Sequence, residues 1–125
     1  MAIGSYNKLG GSQNVAQGNL NELYGIGNQA QGDGNFAIGN ANQAVGNLNQ
    51  INGNQNFANG SANRIAGHQN AVEGHLNQVQ GIVNQVQGHY NNVDGDANQV
   101  QGHNNFISGD DQGILSGILQ KYGYI

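Results

Sequence analysis

One aliphatic residue recurs at every seventh position along almost the whole chain. Ala2, Leu9, Ala16 and Leu23 open a series of seventeen that runs through Ile107 to Ile114. Two residues before fifteen of these, Leu9 to Ile107, stands Asn, from Asn7 to Asn105, and Gly stands at every seventh position from Gly4 to Gly109. The unit is G-x-x-N-x-h-x, and a period this strict is read before any other signal. Residues two apart lie on one face of a strand, so Asn and the aliphatic residue share a face and the x positions occupy the other. A coiled coil would need two apolar positions per heptad and good helix formers. This unit has one, and its Gly costs about 1 kcal/mol relative to Ala in a helix. Each heptad therefore reads as a short strand followed by a Gly-x-x corner, where Gly takes positive φ without a Cβ penalty.

A second period of fourteen lies over the first. Alternate heptads give Ala2, Ala16, Ala30, Ala44 and Ala58 in one aliphatic column against Leu9, Leu23, Ala37, Ile51 and Ile65 in the other, before both settle to Val. The residue before Asn divides likewise, with Tyr6, Leu20, Leu48, Ala62, Leu76 and Tyr90 in one column and Gln13, Gly27, Gln55 and Gln69 in the other. A three-strand coil would mix these columns. The expected fold is all-β, a parallel β-solenoid or β-roll with two heptads per coil. About eight coils at ~4.8 Å each make a body of roughly 38 Å. Residues 1–111 form the repeat domain and 112–125 a C-terminal cap or assembly segment. The inward Asn must be satisfied, since an orphaned buried amide costs about 1–3 kcal/mol. The spacing favours a coil-upon-coil ladder of Asn28, Asn35, Asn42, Asn49, Asn56, Asn63, Asn70, Asn77, Asn84, Asn91, Asn98 and Asn105 over local capping of each turn.

The outward positions form two unlike faces, one dominated by Gln pairs such as Gln29 and Gln31, Gln85 and Gln87, Gln99 and Gln101. Phe36, Ile38, Phe57 and Phe106 are candidate lateral contacts, because few charges keep neighbouring rolls apart. All four His follow a repeat Gly, and His75, His89 and His103 fall in one corner column, about 5 Å from step to step. They are the candidate metal ligands, but the column supplies no further ligands of its own, so the expectation is no metal site. Stacked imidazolium groups would repel below about pH 6.5. No nucleophile, base and acid converge in a pocket, so neither enzymatic activity nor a cofactor is expected.

Composition narrows the picture further. Gly is 22 of 125 residues, a share that would suggest disorder were it not ordered by position. Pro is absent, as an uninterrupted ladder requires. Three basic residues against seven acidic give a net charge of −4, which disfavours nucleic acid and anionic membranes. No apolar run approaches the roughly 18 residues of a membrane helix. Cys is absent, and the first residues show no secretory signal pattern, leaving a cytoplasmic location open beside an extracellular or cell-surface one. Thr is absent too, which weighs against ice binding, a role flat solenoids serve.

After Gly109 the repeat decays into the most apolar stretch of the chain. Ile114, Leu115, Ile118, Leu119, Tyr122, Tyr124 and Ile125, with Ala2 and Ile3 at the other end, are the candidate assembly residues. An open coil end and an apolar tail suggest head-to-tail assembly. Gly32-Asp-Gly-Asn-Phe-Ala-Ile-Gly39-Asn-Ala-Asn-Gln-Ala-Val-Gly46 resembles the head repeat of YadA-type trimeric autotransporter adhesins. The resemblance covers residues 2 to about 111. It implies a left-handed roll, trimerisation and adhesion, although Asn replaces the usual Ser or Ala and no neck or stalk follows. The function expected from the residues is a structural protein that assembles with itself into functional-amyloid-like filaments. A homotrimeric adhesin-like or phage-fibre-like head is the alternative.

Overall fold

A computed structural model describes residues 1–115 and 120–122. Within them the chain forms short strands, numbered in chain order from β1 (Ala2–Ile3) and β2 (Lys8–Ser12) to β17 (Gly113–Leu115) and β18 (Gln120–Tyr122). Odd strands build one nine-stranded sheet and even strands the other, in sequence order throughout. Every pairing is parallel and joins residues fourteen apart, as in the row Gln50, Arg64, Gln78. Two heptads thus make one coil, and the chain is a two-sheet β-roll. Ile118, Leu119, Tyr124 and Ile125, four of the candidate assembly residues, lie outside the described residues.

The core is one cluster formed where the two aliphatic columns meet. Ala16, Ala30, Ala44 and Ala58 come from the odd sheet, with Leu23, Ala37, Ile51 and Ile65 from the even sheet. From Val72 to Val100 both columns are Val. Pairing small with large and then medium with medium keeps the sheets at an even separation without voids. The column ends where Lys121 takes the register position after Ile107.

Beside this core run two buried ladders of Asn, one near each edge. In the middle of the roll each Asn spends its whole side chain on neighbouring coils. Asn63 donates from Nδ2 to Asn49 Oδ1 at 3.1 Å and to the carbonyl of Gly74 at 2.7 Å. Its own Oδ1 accepts from the backbone N and the Nδ2 of Asn77, both at 3.1 Å. The same group that forms the ladder also holds the corner of the coil above, where local capping would have had Asn63 hold its own turn. Burial of so many amides is tolerable because almost every one is satisfied.

The corner differs from the expected one in having two left-handed residues. The repeat Gly lies at φ between +95° and +138°, as at Gly11 and Gly95, a region L side chains rarely adopt. The residue before Asn lies at φ of +55° to +62° wherever it is not Gly, and fourteen such residues do so, among them Tyr6, Leu20, Gln55 and Val83. That region is open to L residues at about 1–2 kcal/mol each. Corner hydrogen bonds such as Leu20 N to Ser5 O at 3.0 Å and Gly18 N to Ile3 O at 2.9 Å offset the strain.

Candidate functional site

The roll offers two flat faces and two narrow edges. The odd-strand face carries Gln29 beside Gln43 and Gln85 beside Gln99 in register, with Gln87 beside Gln101 two residues further on. Its amides also link side chain to side chain, Gln101 Nε2 to Gln87 Oε1 at 3.3 Å and Gln87 Nε2 to Glu73 Oε2 at 3.1 Å. Glu73 is the single charged side chain among the described outward positions of this face. Where Ala71 and Gly113 replace Gln, a shallow groove of about 600 Å³ opens between the columns. The even-strand face is less uniform, with Lys8, Glu22, Arg64 and Asp94 on its strands. At one end of it Lys8 Nζ lies 5.6 Å from the centre of the Tyr24 ring. Hydrogen bonding to Tyr24, then the charges of Tyr24 and Glu22, raise the Lys8 pKa above its ordinary value.

The candidate lateral residues do not form one patch. Phe36 and Ile38 share a strand on the even face, and the Phe36 ring meets Tyr24 edge-on at 6.3 Å. Phe106 is five coils further along that face, and Phe57 lies on the opposite sheet. Ala2 and Ile3 form β1 at one end of the odd sheet, whereas Ile114 and Leu115 lie in β17 at its other end and Tyr122 in β18.

The edges carry two features absent from the sequence reading. First, the position after each repeat Gly often bears a side-chain acceptor for the backbone N–H one coil below. Ser5 N donates to Asn19 Oδ1 at 2.9 Å, Asn19 N to Asp33 Oδ1 at 2.7 Å, and Ile82 N to Asp96 Oδ1 at 2.7 Å. Asn, Asp and His all place an acceptor at the same distance from the backbone, which accounts for their abundance here. The signal was present in that residue choice.

The histidines belong to this system. Ser61 N donates to His75 Nδ1, His75 N to His89 Nδ1 and His89 N to His103 Nδ1, at 3.0, 3.1 and 3.2 Å. Their rings stack at 4.9 Å with planes within 6° of parallel. Parallel rings aim their in-plane lone pairs alongside one another and not at a common point, and each Nδ1 is already engaged. The described residues contain no group of three or more His, Cys, Asp or Glu able to hold a metal ion. Replacing the three His with Asn, which keeps an acceptor at the same distance from the backbone, should leave amide hydrogen exchange at Ser61, His75 and His89 little changed, whereas replacing them with Ala should accelerate it.

The second feature is an apolar ridge. On the edge that follows each odd strand, the left-handed position reads Tyr6, Leu20, Gly34, Leu48, Ala62, Leu76, Tyr90 and Asn104. Tyr6 is 85% exposed, Leu48 67%, Leu20 62%, Tyr90 60% and Leu76 48%. The opposite edge carries Gln13, Gly27, Ala41, Gln55, Gln69, Val83, Ala97 and Asp111 at the same position. The column split was legible in the sequence, but its exposure required knowing that this residue points away from the core.

Comparison with curated proteins finds no match. Residues 10–117 match the family model described as the grass antifreeze beta roll, and the chain belongs to that family.

Proposed function

We propose that the protein is a non-enzymatic β-roll that adsorbs to ice through its odd-strand face. The observation that carries this reading is the registered, nearly uncharged array of Gln on a rigid sheet. Ladder bonds fix the backbone beneath the array, and side-chain bonds from Gln101 to Gln87 and from Gln87 to Glu73 restrain some of the side chains, so little conformational freedom is lost on contact with an ordered surface. Amides both donate and accept, as a water lattice does. They take the place that Thr, absent here, would otherwise fill. Family membership supports ice as the target, and contact with external ice implies an extracellular site of action.

The test is inhibition of ice recrystallisation by purified protein. Wild type should slow crystal coarsening, Gln31→Lys with Gln101→Lys should lose the effect, and Gln78→Lys on the even face should retain it. Wild-type protein that leaves coarsening at the buffer rate would sink the ice reading.

A second reading, end-to-end assembly of copies into filaments, is favoured by Asn105. Among the described residues its Oδ1 is buried and has no hydrogen-bond partner, whereas the mid-roll ladder oxygens accept from the coil above. Pairing that acceptor would relieve a penalty of about 1–3 kcal/mol. Long unbranched fibres in electron micrographs, lost on deletion of residues 112–125, would favour it over adsorption to ice.

A further inference from the structure

We propose that Glu73 is a positioning residue of the odd-strand face, a terminal acceptor that sets the direction of the amides stacked above it and holds Gln87 and Gln101 ready for an ordered surface. Its bearing on ice rests on the function proposed above, whereas its effect on the two amides does not.

A carboxylate is out of place here. The other described outward side chains of this face are uncharged, and a charge holds its water more tightly than an amide does.

The register supplies an internal control for what the charge does. Gln17 lies beside Gln31, Gln29 beside Gln43, Gln85 beside Gln99, and Gln87 beside Gln101, all on neighbouring odd strands. Among the described residues only the last pair is joined side chain to side chain, with Gln101 Nε2 donating to Gln87 Oε1 at 3.3 Å. That pair is also the one whose column continues onto a carboxylate. Glu73 is the register partner of Gln87 and accepts from its Nε2 at 3.1 Å. In the same place the other pairs have Ile3 below Gln17, Val15 below Gln29 and Ala71 below Gln85, none with a side-chain acceptor.

The chemistry of the two groups explains the difference. An exposed amide turns between its two orientations at little cost, because water replaces either partner. A carboxylate only accepts, so the amide beside it presents its N–H, and the charge strengthens the bond. With Nε2 of Gln87 turned toward Glu73, its Oε1 is turned toward the next coil, where Gln101 donates to it. Each bond polarises the next. One charge thereby gives side chains on three successive coils a common direction, and side chains already held lose less freedom on contact with a surface.

Nuclear magnetic resonance of the Gln side-chain amides tests the ordering. In the wild type, the Nε2 protons of Gln87 and Gln101 should exchange with water more slowly than those of Gln29 and Gln43. Glu73→Gln, which keeps the size and removes the charge, should bring the two sets to the same rate, and so should Glu73→Ala. Val15→Glu places a carboxylate below Gln29 and Gln43 and should slow both. Equal rates in the wild type, slow exchange that survives both Glu73 variants, or no response to Val15→Glu would each overturn the proposal. In the recrystallisation assay, Glu73→Gln should need on the order of fivefold more protein for the same inhibition, the low end for freeing two side chains. Stronger inhibition by Glu73→Gln would show that the charge only interferes, and would overturn the role in adsorption. Should the wild type itself fail to slow coarsening, the ice reading falls, and the amide spectra still decide whether Glu73 orders its neighbours.

Discussion

Gly67→Ala is expected to disrupt the middle of the roll, with a loss above about 4 kcal/mol, the range reserved for a few identifiable mechanisms. Gly67 lies at φ +135°, and a Cβ there would stand 1.8 Å from the carbonyl oxygen and 2.8 Å from the carbonyl carbon of Gly81. That oxygen cannot retreat freely, because Asn70 Nδ2 donates to it at 2.8 Å. Each corner carbonyl occupies the space a side chain would need on the coil below, and the ladder amide holds it there. Gly27→Ala is the control. It sits at φ +70° with nothing within 4 Å of an added Cβ, so only the left-handed strain of about 1–2 kcal/mol applies. Thermal melts followed by circular dichroism would compare the two. Similar losses would show that the corners rearrange more easily than the packing implies.

Asn63→Leu should be the most damaging of the near-isosteric core changes. It leaves the carbonyl of Gly74 without its side-chain donor and the backbone N–H of Asn77 without its acceptor, and it strips one bond each from Asn49 Oδ1 and Asn77 Nδ2. At about 1–3 kcal/mol for each buried group left unpaired, the loss is on the order of 4 kcal/mol. Asn40→Ala removes an acceptor from the backbone N of Ile26 on the exposed edge, where water replaces it. Its cost should stay below about 1 kcal/mol, toward the lower end of the net worth of a hydrogen bond. Chemical denaturation of both variants measures the contrast, and a cheap Asn63→Leu would mean that the ladder contributes little.

The sequence carried the architecture because the interior has only two kinds of residue. Alternating sizes in the Ala16 and Leu23 columns separated a two-strand coil from a three-strand one, and the two-residue spacing of Asn from its aliphatic neighbour placed the amides inside. Corner geometry was hidden. Tyr6, Leu20 and Gln55 have no left-handed preference, and they adopt that conformation because the next coil fixes it. Propensity cannot report a conformation imposed by packing. Edge acceptors were hidden for another reason, since Asn19, Asp33 and His75 look unrelated until their acceptor atoms are seen to reach the same place. Sequence also made Thr the criterion for ice binding, when the odd-strand face offers a registered array of a different polar group.

Register by fourteen has a consequence for how such a chain can change length. The Asn and aliphatic positions repeat every seven residues in both sheets, with their sizes equal from Val72 to Val100, while the surfaces repeat only every fourteen. Duplication or loss of one whole coil would lengthen or shorten the roll and leave every downstream side chain on its own face. Loss of a single heptad would leave the interior nearly as well filled, yet it would transfer everything beyond it to the opposite sheet. The Gln columns would then be cut in two and the Leu–Tyr ridge would cross to the other edge. Genetic drift in repeat number is thus nearly neutral for folding at either step, but only the even step preserves what the molecule shows to the outside.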